Sequence, residues 1–361
     1  MFRRFLSALG RVGGYLIAFI IGIVFVQYLY KTNFAAVQPG STEHVYFEVG
    51  KGSNLRTISE ELEKRGLIKH WYSLYWLSKF KADADGLKIL AGEYDLSPGL
   101  SPFKIFEILL SGKIVQHPIT IPEGVNVRDI AQVMAKSGLV SLEDAKRSLS
   151  DRNLMVSLEI PALTPEGYLY PETYNFSRPI TSDQIVIRIV QEGMKKMDEG
   201  IRSWKERAAE LGFSPYQMLT LASIIEKETA KAEERGLIAS VFHNRLRIGM
   251  PLQSDPTVIY GLPDFNGNLT KEDLKTPSPY NTYLNTGLPP TPICNPSLAS
   301  LKAALYPDET DYLYFVGKGD GGHHFSATYK EHQLAVKNFQ QGGQAPAAAP
   351  APASAPAAAA H

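Results

Sequence analysis

Cysteine is almost absent: Cys294 is the only one among 361 residues. That excludes an intrachain disulfide framework and a cysteine-based zinc site, while leaving the redox compartment open. An excess of either charge is missing too, since 37 Lys and Arg balance 37 Asp and Glu. No bulk field draws the chain to a polyanion, and no basic patch with interleaved aromatics marks a nucleic-acid surface. His-Glu-x-x-His, Gly-x-Ser-x-Gly and the phosphate-cradling P-loop are all lacking, so a zincin, a hydrolase elbow and a nucleotide site are unsupported. His323 and His324 are adjacent and cannot easily ligate one metal together. No metal or cofactor is expected.

What the chain does have is one long apolar run. Val12 to Tyr30 carries no charged residue and is long enough to cross a bilayer as a helix. Arg3, Arg4 and Arg11 precede it against Lys31 close behind, so the positive-inside rule leaves residues 1–11 in the cytoplasm and everything after Lys31 in the periplasm or cell exterior. A cleavable signal peptide is the competing reading, but the run is longer than a signal core and no clear Ala-x-Ala site follows. At the far end, residues 342–361 are mostly Ala and Pro and read as a disordered tail.

Between anchor and tail, after a linker over 31–44, a weak repeat appears. Val49 to Ile58 and Ile121 to Ile130 match at Gly52 and Gly124, Asn54 and Asn126, Arg56 and Arg128, and both run on to a Gly-hydrophobic close at Gly66 and Gly138. Each copy predicts a strand, a glycine turn and an amphipathic helix. Gly92-Glu-Tyr94 and Glu166-Gly-Tyr168 extend the likeness. Two small α+β modules are expected, over 45–100 and 101–178, with a helix from Ser101 to Leu110. The pattern resembles a LysM-like module, a small fold that wall-binding proteins use to hold N-acetylated glycans; a plain spacer is the alternative. From 179 to 341 the chain predicts a mainly helical, loop-rich domain, with helices over 182–198, 201–211, 233–247 and 327–339 and a strand over 312–316. The fold class is thus α+β behind a single N-terminal membrane helix.

The most informative segment is Leu221 to Thr229. Ser214, Pro215 and Gln217 give a helix start, and Met218, Leu221, Ala222 and Ile225 recur at helical spacing, with Leu219 and Ile224 apolar outside that stripe. Such a helix is buried on most sides, yet it carries Glu226 and Glu228. A carboxyl drawn into a core finds a partner or has its pKa raised, which suits a general acid. The two lie about 160° apart around the helix, so only one can face a given cleft. The residues alone do not choose between them. The following loops offer Tyr280, Asn281 and Tyr283, which combine flat faces with hydrogen-bonding groups as sugar rings require, and Asn244, Gln253 and Asp255 add polar groups near the helix in sequence.

Ala222 to Thr229, Ser240 to Leu246, Leu252 to Gly261, Tyr280 to Tyr283, Thr286 to Pro290, Ser300 to Ala303, Tyr312 to Val316 and, upstream, Glu166 to Tyr174 together resemble the endolytic murein transglycosylase (MltG/YceG-like) family. The resemblance implies a single-pass inner-membrane enzyme with its catalytic domain in the periplasm, cutting peptidoglycan glycan strands beside the penicillin-binding synthases that make them. It selects Glu226 as the catalytic acid and base and leaves Glu228 a supporting or structural role, on the substrate side with the candidate binding residues Asn244, Gln253, Asp255, Tyr280, Asn281 and Tyr283. A hydrolytic muramidase using Glu228 or Asp255 as second carboxylate, and a non-catalytic glycan-binding scaffold, are the rival readings.

Overall fold

The computed structural model describes residues 2–80, 88–263 and 265–340; the expected tail lies outside the described residues. Helices mix with short two-stranded ladders, and the chain divides into two compact units. One comprises Met1–Ile119 with Tyr174–Thr181, the other Thr120–Thr173 with Ser182–His361. The segment 101–178, read from sequence as one module, is shared between them.

The first unit opens with α1 (Phe2–Asn33). Its stretch Leu16–Asn33 is long and apolar enough to cross a membrane, and none of it is buried. After β1 (Val45–Val49), α2 (Leu55–Lys64) and α3 (Tyr72–Phe80), β2 (Gly92–Leu96) returns antiparallel to β1 with Phe47 opposite Tyr94. α4 (Pro102–Ser111) and β3 (His117–Thr120) follow. Phe47, Val49, Tyr94 and Leu96 enter a core with Ile58 and Leu62 of α2, Leu74 of α3, and Ile105 and Leu109 of α4. Each such side chain contributes about 2 kcal/mol through burial. The segment read as a linker is packed onto this unit. Phe34 lies against the core, Gln38 N–H donates to the Pro98 carbonyl at 2.9 Å, and a Cβ on Gly99 would fall 2.1 Å from the Ser41 carbonyl oxygen.

The repeat holds at the backbone. After β3 come α5 (Val127–Lys136), α6 (Leu142–Leu149), α7 (Arg152–Ser157) and β4 (Thr173–Phe176), which pairs with β3. Asn54 caps α2 by accepting from Thr57 N–H, and Asn126 caps α5 by accepting from Arg128 and Asp129 N–H. Gly52 and Gly124 both take left-handed φ values, 78° and 69°, in the turn before the cap. A side chain would be strained there.

The rest of the second unit is mainly helical: α8 (Ser182–Gly200), α9 (Trp204–Glu210), α10 (Pro215–Glu228), α11 (Arg235–Arg247), α12 (Asp255–Gly261) and α13 (Leu298–Leu305), then the antiparallel hairpin β5 (Tyr314–Gly317) and β6 (His323–Ser326), and α14 (Tyr329–Gln340). The Ser214–Gln217 capping box forms as the sequence predicts. Residues 218–225 of α10 are all buried, as its nearly all-round apolar pattern requires, and α9, α11, α12 and α13 pack around it. Two of these helices are not among those the sequence predicts. α12 begins at Asp255-Pro256 behind a Ser254 N-cap, and α13 behind Ser297, whose side chain accepts from Ser300 N–H.

Candidate active site

The last turn of α10 delivers Glu226, Lys227 and Glu228. Glu226 is half-buried. Its Oε2 accepts from Ser297 N–H at 3.0 Å and from the Ser297 hydroxyl at 2.6 Å. Ser297 is the N-cap of α13, so the carboxylate lies at the positive end of a helix. Among the described residues no donor reaches Oε1. On one side of the group lies the turn before α5: a Cβ on Gly124 would be 3.8 Å from Glu226 Cγ, and Lys227 Nζ donates to the Gly124 carbonyl at 3.3 Å.

Glu228 lies on the other flank of α10. The Ser254 hydroxyl donates to its Oε1 at 2.6 Å. Burial pushes this carboxyl up, and the Ser254 hydrogen bond pulls it back, as the neighbouring His323 and Arg245 also do. A carboxyl raised in this way is one that can hold a proton, as the apolar pattern of α10 leads one to expect. Ser254 is fixed from the Tyr283 loop: its N–H donates to Thr282 Oγ1 at 3.0 Å, and Gln253 N–H donates to the Thr282 carbonyl at 3.0 Å. Gln253 is exposed and holds φ at 50°, a conformation that costs a non-glycine residue about 1–2 kcal/mol. The Tyr283 hydroxyl donates to Asp255 Oδ1 at 2.6 Å. Gln253, Asp255 and Tyr283 thus gather with Glu228 around one turn.

The other sequence candidates take different places. Asn281 is fully buried; its amide donates to the Leu274 and Thr276 carbonyls and accepts from Tyr283 N–H. Asn244 donates to the Thr310 and Tyr312 carbonyls and accepts from Arg247. Both amides are taken up inside the protein, so whatever they do for binding passes through the loops they hold. Tyr280 has its ring 4.9 Å from that of Tyr260 and its hydroxyl 3.0 Å from Thr291 Oγ1. A groove of about 720 Å³ lies on Gln217, Phe213, His243, Asn244 and the 287–290 loop. It touches α10 at Gln217, nine residues from Glu226, or about 13 Å along the helix axis. Volume and carboxyls therefore do not coincide, and the carboxyls are the better guide to chemistry.

Glu166 is the residue that sequence reasoning missed. It entered as a marker of the repeat and as the start of a family motif, with no role of its own, yet it is completely buried and sits at a hub. Val127 N–H donates to both its oxygens at 3.1 and 3.0 Å, Asn295 Nδ2 to Oε1 at 3.0 Å and the Tyr260 hydroxyl to Oε2 at 3.0 Å. Burial pushes its carboxyl up to about 7 against the pull of Val127 and Tyr260. Asn295 in turn accepts from Gly167 and Leu169 N–H and donates to the Val125 carbonyl. Two residues on is Ser297, the partner of Glu226. One buried polar cluster therefore fixes both the Gly124 turn and the Ser297 cap. A second pair closes the far side of α10, where His323 donates its backbone N–H to both oxygens of Glu234 at 2.9 and 3.0 Å and its Nδ1 lies 2.7 Å from Oε2. Against the effect of burial, these contacts hold Glu234 below the usual carboxylate range.

The sequence pattern of the YceG-like family matches residues 47–338, a span that holds every residue of this site. The chain belongs to the YceG-like family. This YceG-like chain is 35% identical over 324 residues to an endolytic murein transglycosylase of Bacillus subtilis, covering 86% of its own length and 88% of the relative's. It is 30% identical over 326 residues to one from Streptococcus pneumoniae D39, spanning 82% of itself and 58% of that protein. A crystal structure of a yceG-like protein of Listeria monocytogenes aligns with a TM-score of 0.56 at 34% identity, over 81% of this chain and 99% of that one.

Proposed function

We propose that this chain is an endolytic murein transglycosylase, with Glu226 as its single acid and base. Membership of a family whose curated relatives are named as such enzymes supports the class of reaction. The observation that carries the residue assignment is the Glu226 carboxylate, held through Oε2 by the Ser297 cap while no described residue donates to Oε1. One oxygen anchors the group and the other is available for proton traffic.

In the reaction, protonated Glu226 gives its proton to the glycosidic oxygen between N-acetylmuramic acid and N-acetylglucosamine as the bond to the muramoyl anomeric carbon breaks. The resulting carboxylate takes the proton of the C6 hydroxyl of the same sugar. That hydroxyl closes onto the anomeric carbon, and the product carries a 1,6-anhydro end. No water is consumed, and the internal hydroxyl outcompetes solvent by proximity. Gln253, Asp255 and Tyr283, gathered on the Glu228 flank, meet the glycan there. The LysM-like first module contacts the glycan, and α1 holds the chain in the inner membrane with the catalytic part in the periplasm, beside peptidoglycan synthases. Cutting new strands there limits their length.

Glu226→Gln is expected to remove cleavage by at least a hundredfold with little change in melting temperature, because the amide keeps the shape but cannot cycle a proton. Mass spectrometry of digested glycan strands reads the outcome, and anhydro ends released by the mutant at the wild-type rate would overturn the assignment. A second reading, a muramidase with Glu228 as acid, is favoured by the burial that raises Glu228. Glu228→Gln then abolishes activity as fully as Glu226→Gln, and the wild-type products end in reducing sugars.

A further inference from the structure

We infer that the first unit is seated on the bilayer, with the exposed face of α3 lying in the lipid headgroup layer. The inference rests on the reading of α1 as a membrane anchor. Tyr72, Tyr75, Trp76 and Lys79 fall at i, i+3, i+4 and i+7, so they form one stripe about 10 Å long on α3. The buried residues of the same helix, Leu74 and Leu77, face the core. Tyr75 and Trp76 are 45% and 52% exposed, unusually open for two large aromatics side by side. Lys79 lies 5.7 Å from the Tyr75 ring.

The stripe begins at the end of the apolar helix. The Tyr72 hydroxyl donates to Asn33 Oδ1 at 2.7 Å, and Lys69 Nζ donates to the Lys31 carbonyl at 3.1 Å. From α4, Phe103 places its ring 6.5 Å from Tyr30 and 5.3 Å from Phe34 while staying 48% exposed. Since residues 34–41 are also packed onto the unit, no slack segment separates it from α1. A helix that crosses the bilayer and ends near Asn33 therefore brings Phe103 and the α3 stripe to the boundary between acyl chains and water. Tyr and Trp are enriched at that depth because they pair an apolar ring with a polar group, and a lysine beside them extends toward anionic headgroups. A stripe of this composition, continuous with the anchor, fits a lipid surface better than a soluble partner. The consequence is a fixed stance of the first unit on the membrane.

The test uses the full chain in liposomes of phosphatidylethanolamine and phosphatidylglycerol, with and without headgroup-nitroxide lipid. Flotation with the liposomes reports the anchor separately. Tryptophan fluorescence reports the seat, because of the three tryptophans Trp204 is buried and only Trp76 is on the stripe. Trp76→Phe, a conservative change at an exposed site, is expected to remove at least half of the lipid-dependent quenching, with its circular dichroism unchanged. In the wild type, headgroup nitroxide should quench more than nitroxide deep in the acyl chain. Equal quenching of wild type and Trp76→Phe in chains that float overturns the seat and leaves the anchor standing. Shielding of Trp76 by added glycan strands, without quenching by lipid, makes the stripe a sugar platform and also overturns it. A chain that does not float overturns both readings.

Discussion

At the residue scale, three glutamates of the candidate site differ in what surrounds them. Glu226 has one oxygen held by both donors of the Ser297 cap, Glu228 has one held by the Ser254 hydroxyl alone, and Glu166 is sealed by four donor contacts. The position of Glu226 and Glu228 on a buried helix was legible because both signals, the cap and the apolar spacing, are local. Glu166 was not, because its partners Tyr260 and Asn295 lie 94 and 129 residues away. Its raised carboxyl makes a test. In the unfolded chain the group titrates near 4.5, and in the fold near 7. Between those values the folded state binds the extra proton, so stability is fully present below about pH 4.5 and is lost as pH rises to about 7. The shift corresponds to at most about 3 kcal/mol. Urea unfolding of wild type should show this decline. In Glu166→Gln the Glu166 part of the slope should vanish, leaving what Glu228 contributes in the same direction. The variant should also be less stable at low pH, since its amide NH₂ must face one of the Val127, Asn295 or Tyr260 donors. A slope unchanged in Glu166→Gln would mean that other groups carry it.

Elements whose ends are written in capping residues were read well: α10, α4 and the paired repeat helices all start where their serine, asparagine and proline signals stand. α12 and α13 are not among the helices the sequence predicts, because prolines and tyrosines dominate their surroundings and each is under three turns long. Short helices of this kind draw their stability from packing, here against α10, rather than from propensity. Asn281, in the loop between them, and Gln253, just before α12, hold the backbone there in opposite ways. Asn281→Ala removes three hydrogen bonds from a fully buried position and should cost about 2–3 kcal/mol, lowering the melting temperature before it lowers specific activity. Gln253→Gly relieves a left-handed backbone and should stabilise by up to about 1 kcal/mol. If the Gln253 side chain meets glycan, the same variant loses activity while melting higher. A variant that melts higher and cleaves as wild type would remove Gln253 from the binding surface.

For the whole molecule, the repeat was visible in sequence but the division of the chain was not. Residues 174–181 return to the first unit after a long excursion, and chain order carries no mark of such a return. The packed 34–41 segment sets where a soluble form should begin. A start at Thr42 discards Phe34, Gln38 and Ser41, which are packed onto the first unit, whereas a start at Phe34 keeps them. Loss of those contacts, about 2 kcal/mol by the burial of one aromatic, should lower the melting temperature of the shorter form by roughly 5 °C or more. Equal melting of the two forms would mean that the 34–41 segment adds nothing. Both forms should cleave purified glycan, because every residue of the candidate site lies in the second unit. In cells, the form starting at Phe34, exported by a cleaved signal, isolates the effect of the tether. An enzyme held at the bilayer meets strands that are still being polymerised at a raised local concentration, and a freed one does not. New strands should therefore be longer in cells with the freed enzyme than in cells with the full chain at equal abundance. Strand lengths measured by chromatography that match between the two would reduce α1 to a means of export.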